Sequence, residues 1–132
     1  MNPRGTDFVV FQVSDMSRSV PFYRDTLGLS YTGGHGWSPG DGKPEEAWIE
    51  FDVPPTTLAL YQSADNDTPL TPGGTFVVAV PDVGEALSEL KAKDVKCLWD
   101  EHVDSPVCHF AIVFDPDGNQ VGLHWRKDGT FG

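Results

Sequence analysis

Basic residues are scarce in this sequence: nine Lys and Arg stand against twenty Asp and Glu, leaving a formal net charge of −11 over 132 residues. Nucleic acid and anionic membrane surfaces would both be repelled by such a chain, so neither is expected as a partner. A cationic ligand is compatible with it, and so is simple solubility. Cysteine is nearly absent. Cys97 and Cys108 are too few for a disulfide framework and lack CxxC spacing, which points to reduced thiols in a cytoplasmic protein. If they face each other across a hairpin, an oxidised pair is the alternative. No apolar run approaches membrane-span length, and MNPRGTDFVVFQV reads as no signal peptide. GxSxG, P-loop, Rossmann and zinc-finger patterns are also missing, which removes several common chemistries.

What the sequence does contain is alternation. Val107 to Arg126, VCHFAIVFDPDGNQVGLHWR, places two period-two runs around the turn Asp115-Pro116-Asp117-Gly118-Asn119. The spacing predicts a β-hairpin with Phe110, Ile112, Phe114, Val121 and Leu123 on a core face. His109, Gly122 and His124 then fall on a smaller face able to line a cavity, with the two histidines close together.

Upstream, Asp7 to Val13 alternates as a strand, and Ser14-Asp15 offers an N-cap. Met16, Val20, Phe22, Tyr23 and Leu27 predict a helix that is kinked at Pro21 and stopped by Gly28. Leu29 to Thr32 reads as a strand dissolving into a glycine-rich loop, which is either a plain surface loop, the commoner outcome, or a mobile lid carrying His35 and Trp37. Ala47 to Val53 and Thr56 to Gln62 are strands joined at Pro54-Pro55. The polar stretch Ser63 to Gly74 reads as a linker.

The pattern then recurs. Thr75 to Val80 is a strand, Asp82 caps a helix with Val83, Ala86, Leu87 and Leu90, and Asp94 takes the stop position. Val95 to Asp100 is a strand before the hairpin. Asp15 superposes on Asp82, Val13 on Val80 and Val20 on Leu87. We therefore expect an α+β domain spanning 1–132, built of two repeated βαβββ units at about 7–62 and 75–126.

Alternation puts Glu50 opposite Ile49 and Phe51, and on the same face as Trp48. Facing a dry cleft, Glu50 can act as a base, and Trp48 offers a stacking surface. Gln12 points the same way as Phe8 and can orient a ligand. Trp125 reads as core, and His102, between Glu101 and Asp104, as solvated.

The tandem units, the opening VSDMSRSVPFYRDTLGL, the middle AWIEFDVPPTTLALY and the terminal DPDGNQVGLHW together resemble the vicinal oxygen chelate superfamily. That superfamily includes glyoxalase I, bleomycin-resistance proteins, fosfomycin-resistance enzymes and extradiol dioxygenases. The resemblance implies incomplete barrels enclosing a cleft, usually in a homodimer. It implies metal-ligand positions at Phe8, Glu50, Thr75 and Gly122, of which only Glu50 keeps a strong donor. We therefore expect no catalytic metal and a small molecule bound by Gln12, Trp48, Glu50, His109 and His124, with Glu50 available as a catalytic base. The alternatives are a lyase or dioxygenase whose divalent Ni, Zn or Fe has moved to Glu50, His109 and His124, and an interaction module that keeps the fold for dimerisation.

Overall fold

The computed structural model describes residues 1–2, 8–64 and 73–130, so Asp7 and most of the predicted linker lie outside it. The chain divides into two compact units, Met1–Thr71 and Pro72–Gly132.

The first unit runs β1 (Phe8–Gln12), α1 (Met16–Pro21), β2 (Ser30–His35), β3 (Ala47–Val53) and β4 (Thr56–Gln62), in the sheet order β1-β4-β3-β2. The second runs β5 (Thr75–Ala79), α2 (Val83–Ala92), β6 (Val103–Asp104), β7 (Cys108–Phe114) and β8 (Gln120–Arg126), in the order β5-β8-β7-β6. Each is an open four-stranded sheet whose first and last strands pair in parallel, while its other neighbours are antiparallel. The repeat seen in the sequence is thus a repeat of topology.

Both helices begin on the expected caps. Asp15 accepts from the Ser17 amide at 3.0 Å and Asp82 from the Glu85 amide at 2.9 Å. Pro21 does more than kink the first helix. Having no N–H to donate, it ends the α-helical ladder, and Phe22–Thr26 continues as a π-helix closed by the Leu27 amide on the Phe22 carbonyl. Gly28 and Asp94 both take positive φ, 75° and 59°, where the two helical segments stop.

Period-two patterning decides each core. In the first unit Phe11, Leu58, Leu60, Ala47, Ile49 and Phe51 share one buried face, and the helical segment covers it through Tyr23, whose ring lies 5.9 Å from that of Phe51. Gln62 is the polar member of that face, only 1% exposed. Its Oε1 accepts the Met16 amide at 2.7 Å, and its Nε2 donates to the Pro44 carbonyl at 2.6 Å.

In the second unit the buried face holds Phe76, Ala111, Val113, Val121 and Leu123, together with Val83, Leu87 and Leu90 of α2. Here the hairpin departs from expectation. Phe114 pairs with Gln120, Ile112 with Gly122 and Phe110 with His124, so these aromatic and aliphatic residues face away from Val121 and Leu123. The turn sets this register: Asp115 N–H donates to the Asn119 carbonyl at 2.9 Å, and the strands leave the turn in step.

Asp115 itself is 5% exposed and holds the turn together. Oδ1 accepts the amides of Asp117 and Asn119 at 2.9 and 2.7 Å, and Oδ2 accepts Asn119 Nδ2 at 2.8 Å. Asp115→Ala strands these donors and is expected to cost about 2–4 kcal/mol. Asp115→Asn should cost roughly half as much, because one acceptor oxygen survives. Urea unfolding of both variants checks the order.

Two further expectations are corrected. The strand predicted at Val95–Asp100 is reduced to a bridge between Cys97 and Val113, and the short β6 takes the edge position instead. The strand expected to dissolve after Thr32 continues as β2 through Gly33 and Gly34 to His35, which pairs with Trp48. Cys97 lies opposite Val113 near one end of β7 whereas Cys108 opens that strand, roughly 16 Å away at strand rise. A disulfide requires Cα atoms within about 7 Å, so the two thiols stay separate. Burial pushes the Cys97 thiol up from its ordinary pKa.

Candidate functional site

Strand register lays out the open face of the first sheet in three rows. Gln12, Tyr61, Trp48 and His35 form one; Val10, Ala59, Glu50 and Gly33 the next; Phe8, Thr57, Asp52 and Ser30 the last. Gln12, Trp48 and Glu50, three of the residues expected to bind ligand, therefore do share a face. Trp48 is its hub. The Phe8 ring meets it edge-on at 5.5 Å and the Tyr61 ring lies 6.2 Å away at 47°. Its Nε1–H donates to Glu50 Oε1 at 2.9 Å. Glu50 is half-buried, and its partners on the neighbouring strands are the small residues Ala59 and Gly33, which leave its carboxylate approachable. Phe8 and Val10, at 48% and 44% exposure, are apolar surface without cover in this unit.

Of the two readings of the glycine-rich segment, the structure does not favour the lid. Trp37 is 6% exposed and its Nε1–H donates to the Gly42 carbonyl at 3.2 Å, which fastens the glycine-rich segment instead of freeing it. His35 sits on β2 beside Trp48.

In the second unit the two histidines part company. His124 is on the open face, its ring 6.0 Å from Phe110. His109 pairs with Trp125 and lies on the opposite, helix-side face, because the hairpin register differs by one residue from the sequence reading. There it joins residues that were read otherwise. His102 is half-buried, with its ring 4.9 Å from that of His109 and its edge against Gly84. The Trp125 ring lies 5.3 Å from that of His109, tilted by 49°, and is not part of the core. His109 Nε2 lies 3.2 Å from Asp104 Oδ1, which also accepts from Lys127 Nζ at 2.7 Å. That Lys127 bond holds the Asp104 carboxyl below the usual carboxylate range. Pro81, Asp82, His102, His109 and Trp125 line a hollow of about 390 Å³. His102 comes beside His109 through the pairing of the short β6 with β7, which the alternation of the sequence does not signal.

The metal positions implied by the resemblance do not fit an ion. Phe8 presents a ring to Trp48, and Thr75 Oγ1 is hydrogen-bonded to Gln120 Oε1 at 2.8 Å. A Cβ at Gly122 would meet Phe110 Cε2 and Val77 Cγ2, both at 3.0 Å, so the space a ligand side chain needs is taken. A relocated site fares no better, since His109 and His124 are on opposite faces of one sheet. Among the described residues no group of three or more His, Cys, Asp or Glu is arranged to hold a metal ion.

The comparisons agree with the repeat topology. Residues 5–123 match the Glyoxalase/Bleomycin resistance protein/Dioxygenase superfamily. The chain belongs to this superfamily. Its fold is also that of TnmS3, an antibiotic binding protein from Streptomyces sp. CB03234, with 22% identity and a TM-score of 0.69 over 96% of this chain and 100% of that one. A lactoylglutathione lyase from Agrobacterium tumefaciens aligns with 20% identity and a TM-score of 0.66, covering 94% and 95% of the two chains. TioX from Micromonospora sp. ML1 aligns with 19% identity and a TM-score of 0.65, covering 91% and 98%. No curated protein sequence matches. At these identities the likeness shows the fold alone, and an antibiotic binding protein and a lyase share it similarly well, so the choice between functions rests on the residues. No helix among the described residues is long and apolar enough to cross a membrane.

Proposed function

We propose that this superfamily member binds a small organic molecule on the open face of its first sheet, with no catalytic metal. The observation that supports the reading best is the Trp48 cluster: three aromatic rings and one carboxylate, fixed to one another on an exposed face. Aromatic walls with a few placed polar groups are how proteins hold small organic ligands. The donor set supports a binder over a lyase or dioxygenase, because the inherited metal positions carry a phenyl ring, an engaged hydroxyl and a hydrogen atom. Antibiotic binding by TnmS3 gives a precedent on the same fold. In this reading Glu50 anchors the ligand and does not abstract a proton.

A thermal-shift screen of aromatic ligands and divalent metals tests the reading, since a ligand that binds only the native state raises Tm by linkage. Saturable stabilisation by an organic ligand, lost in Trp48→Ala, is the expected result. One tightly held Ni²⁺, Zn²⁺ or Fe²⁺ per chain after purification without a metal-affinity tag, released by Glu50→Ala, would overturn it.

A further inference from the structure

We infer that the ligand of this face is an organic cation, an aromatic or apolar body carrying an ammonium group, with Glu50 as its counter-charge and Trp48 as the residue that aims Glu50. The inference rests on the small-molecule reading above and adds its chemical class. It is carried by the charge pattern of the face. Its three rows contain Glu50 and Asp52 and no lysine or arginine; His35 is the one position that can acquire positive charge. Glu46 extends the acidic rim, accepting from the Tyr61 hydroxyl at 3.4 Å. An anion would therefore find no charged partner on this surface, and the net charge of −11 would repel it at longer range.

The second sheet shows that the fold does not impose this pattern. Its open face presents Thr75, Val77, Phe110, Ile112, Gly122 and His124 in the corresponding region, without a carboxylate.

Geometry gives each group a task. The indole N–H occupies Glu50 Oε1, which fixes the carboxylate's orientation and leaves Oε2 directed to an incoming donor. With Ala59 and Gly33 on either side, an ammonium can reach Glu50 while its carbon skeleton lies against Trp48, Tyr61 and Phe8. Electron-rich ring faces attract the same charge that the carboxylate does. Both attractions act together only on a cation.

Three probes of similar size separate the terms: benzylammonium, benzyl alcohol and phenylacetate. Binding to the full chain is followed by isothermal titration calorimetry in every variant, and by the Trp48 indole N–H resonance where Trp48 is present, at low and physiological salt. The cation is expected to bind at least about tenfold more tightly than either other probe, and to weaken with salt. Glu50→Gln, nearly isosteric and half-exposed, should remove that advantage while leaving benzyl alcohol unchanged. Trp48→Phe retains a ring but no N–H, and should lose about threefold to tenfold for the cation. In a Glu50→Gln background Trp48→Phe should lose much less, which a purely structural role for Trp48 would not produce.

Equal binding of the cation and benzyl alcohol, or indifference to Glu50→Gln, overturns the cation assignment and leaves the small-molecule reading standing. If none of the probes moves the Trp48 resonance, both fall. A resonance that moves with protein concentration instead would show a second copy of the chain on this face, and would overturn the inference as well.

Discussion

Gly34→Ala is expected to destabilise the first unit by about 3 kcal/mol or more and to abolish binding at Trp48. Gly34 lies in β2 opposite Ile49, at φ 157°, and an added Cβ would overlap the Trp48 carbonyl oxygen. Neither partner can yield cheaply, because both belong to the paired backbones of β2 and β3. Relief must come from prising the strands apart at the residue that carries the indole. Gly33→Ala is the control. It also has positive φ, 101°, but its Cβ would meet nothing within 4 Å. Its cost should be limited to the backbone penalty, about 1–2 kcal/mol. Urea denaturation of the two variants, with the Trp48 indole resonance as a local probe, checks both statements. Similar losses at the two positions would show that close approach is not what requires glycine at 34.

Gln62→Met should be nearly as damaging, although it exchanges a polar side chain for an apolar one of similar length inside a core. The amide of Gln62 joins the first turn of α1 to the carbonyl of Pro44. Methionine fills the space but satisfies neither group. A buried donor or acceptor left without a partner costs about 1–3 kcal/mol, so the pair predicts a loss of about 2–6 kcal/mol. Gln62→Glu retains the acceptor for Met16 N–H and loses the donor to Pro44, while also burying a charge. It should therefore not rescue stability at neutral pH. Chemical denaturation is the measurement, and a neutral Gln62→Met would mean that water replaces the amide at both ends.

Much of this was legible in the sequence because local chemistry and tertiary structure agree. Asp15 and Asp82 cap the helices they precede, Asp94 takes positive φ where a stop was required, and Trp48 and Glu50 share a face as residues two apart in a strand must. What misled the reading was information held in a partner strand. Alternation says that Phe110, Ile112 and Phe114 share a face, but only the pairing across the turn says which residues of β8 join them. His109 was misplaced beside His124 for that reason alone. Glycines concealed β2, whose strand character comes from β3 and not from its own side chains. The contact of Phe8 with Trp48 joins segments far apart in the chain, which no local pattern encodes, and the meeting of His102 with His109 follows from the pairing of the two-residue β6 with β7, too short to show as alternation.

The parallel pairing of first and last strands has a kinetic corollary. Among the described residues β1 is an edge strand whose one neighbour is β4, and β5 stands in the same relation to β8. Until a unit's final strand arrives, its first has nothing to pair with, so the central hairpin forms early and β1 or β5 docks late. Loop closure between the extremes of each unit then sets its folding rate, as expected for topologies rich in non-local contacts. During synthesis, Phe8 and Val10 remain without a template until the chain has emerged beyond Gln62.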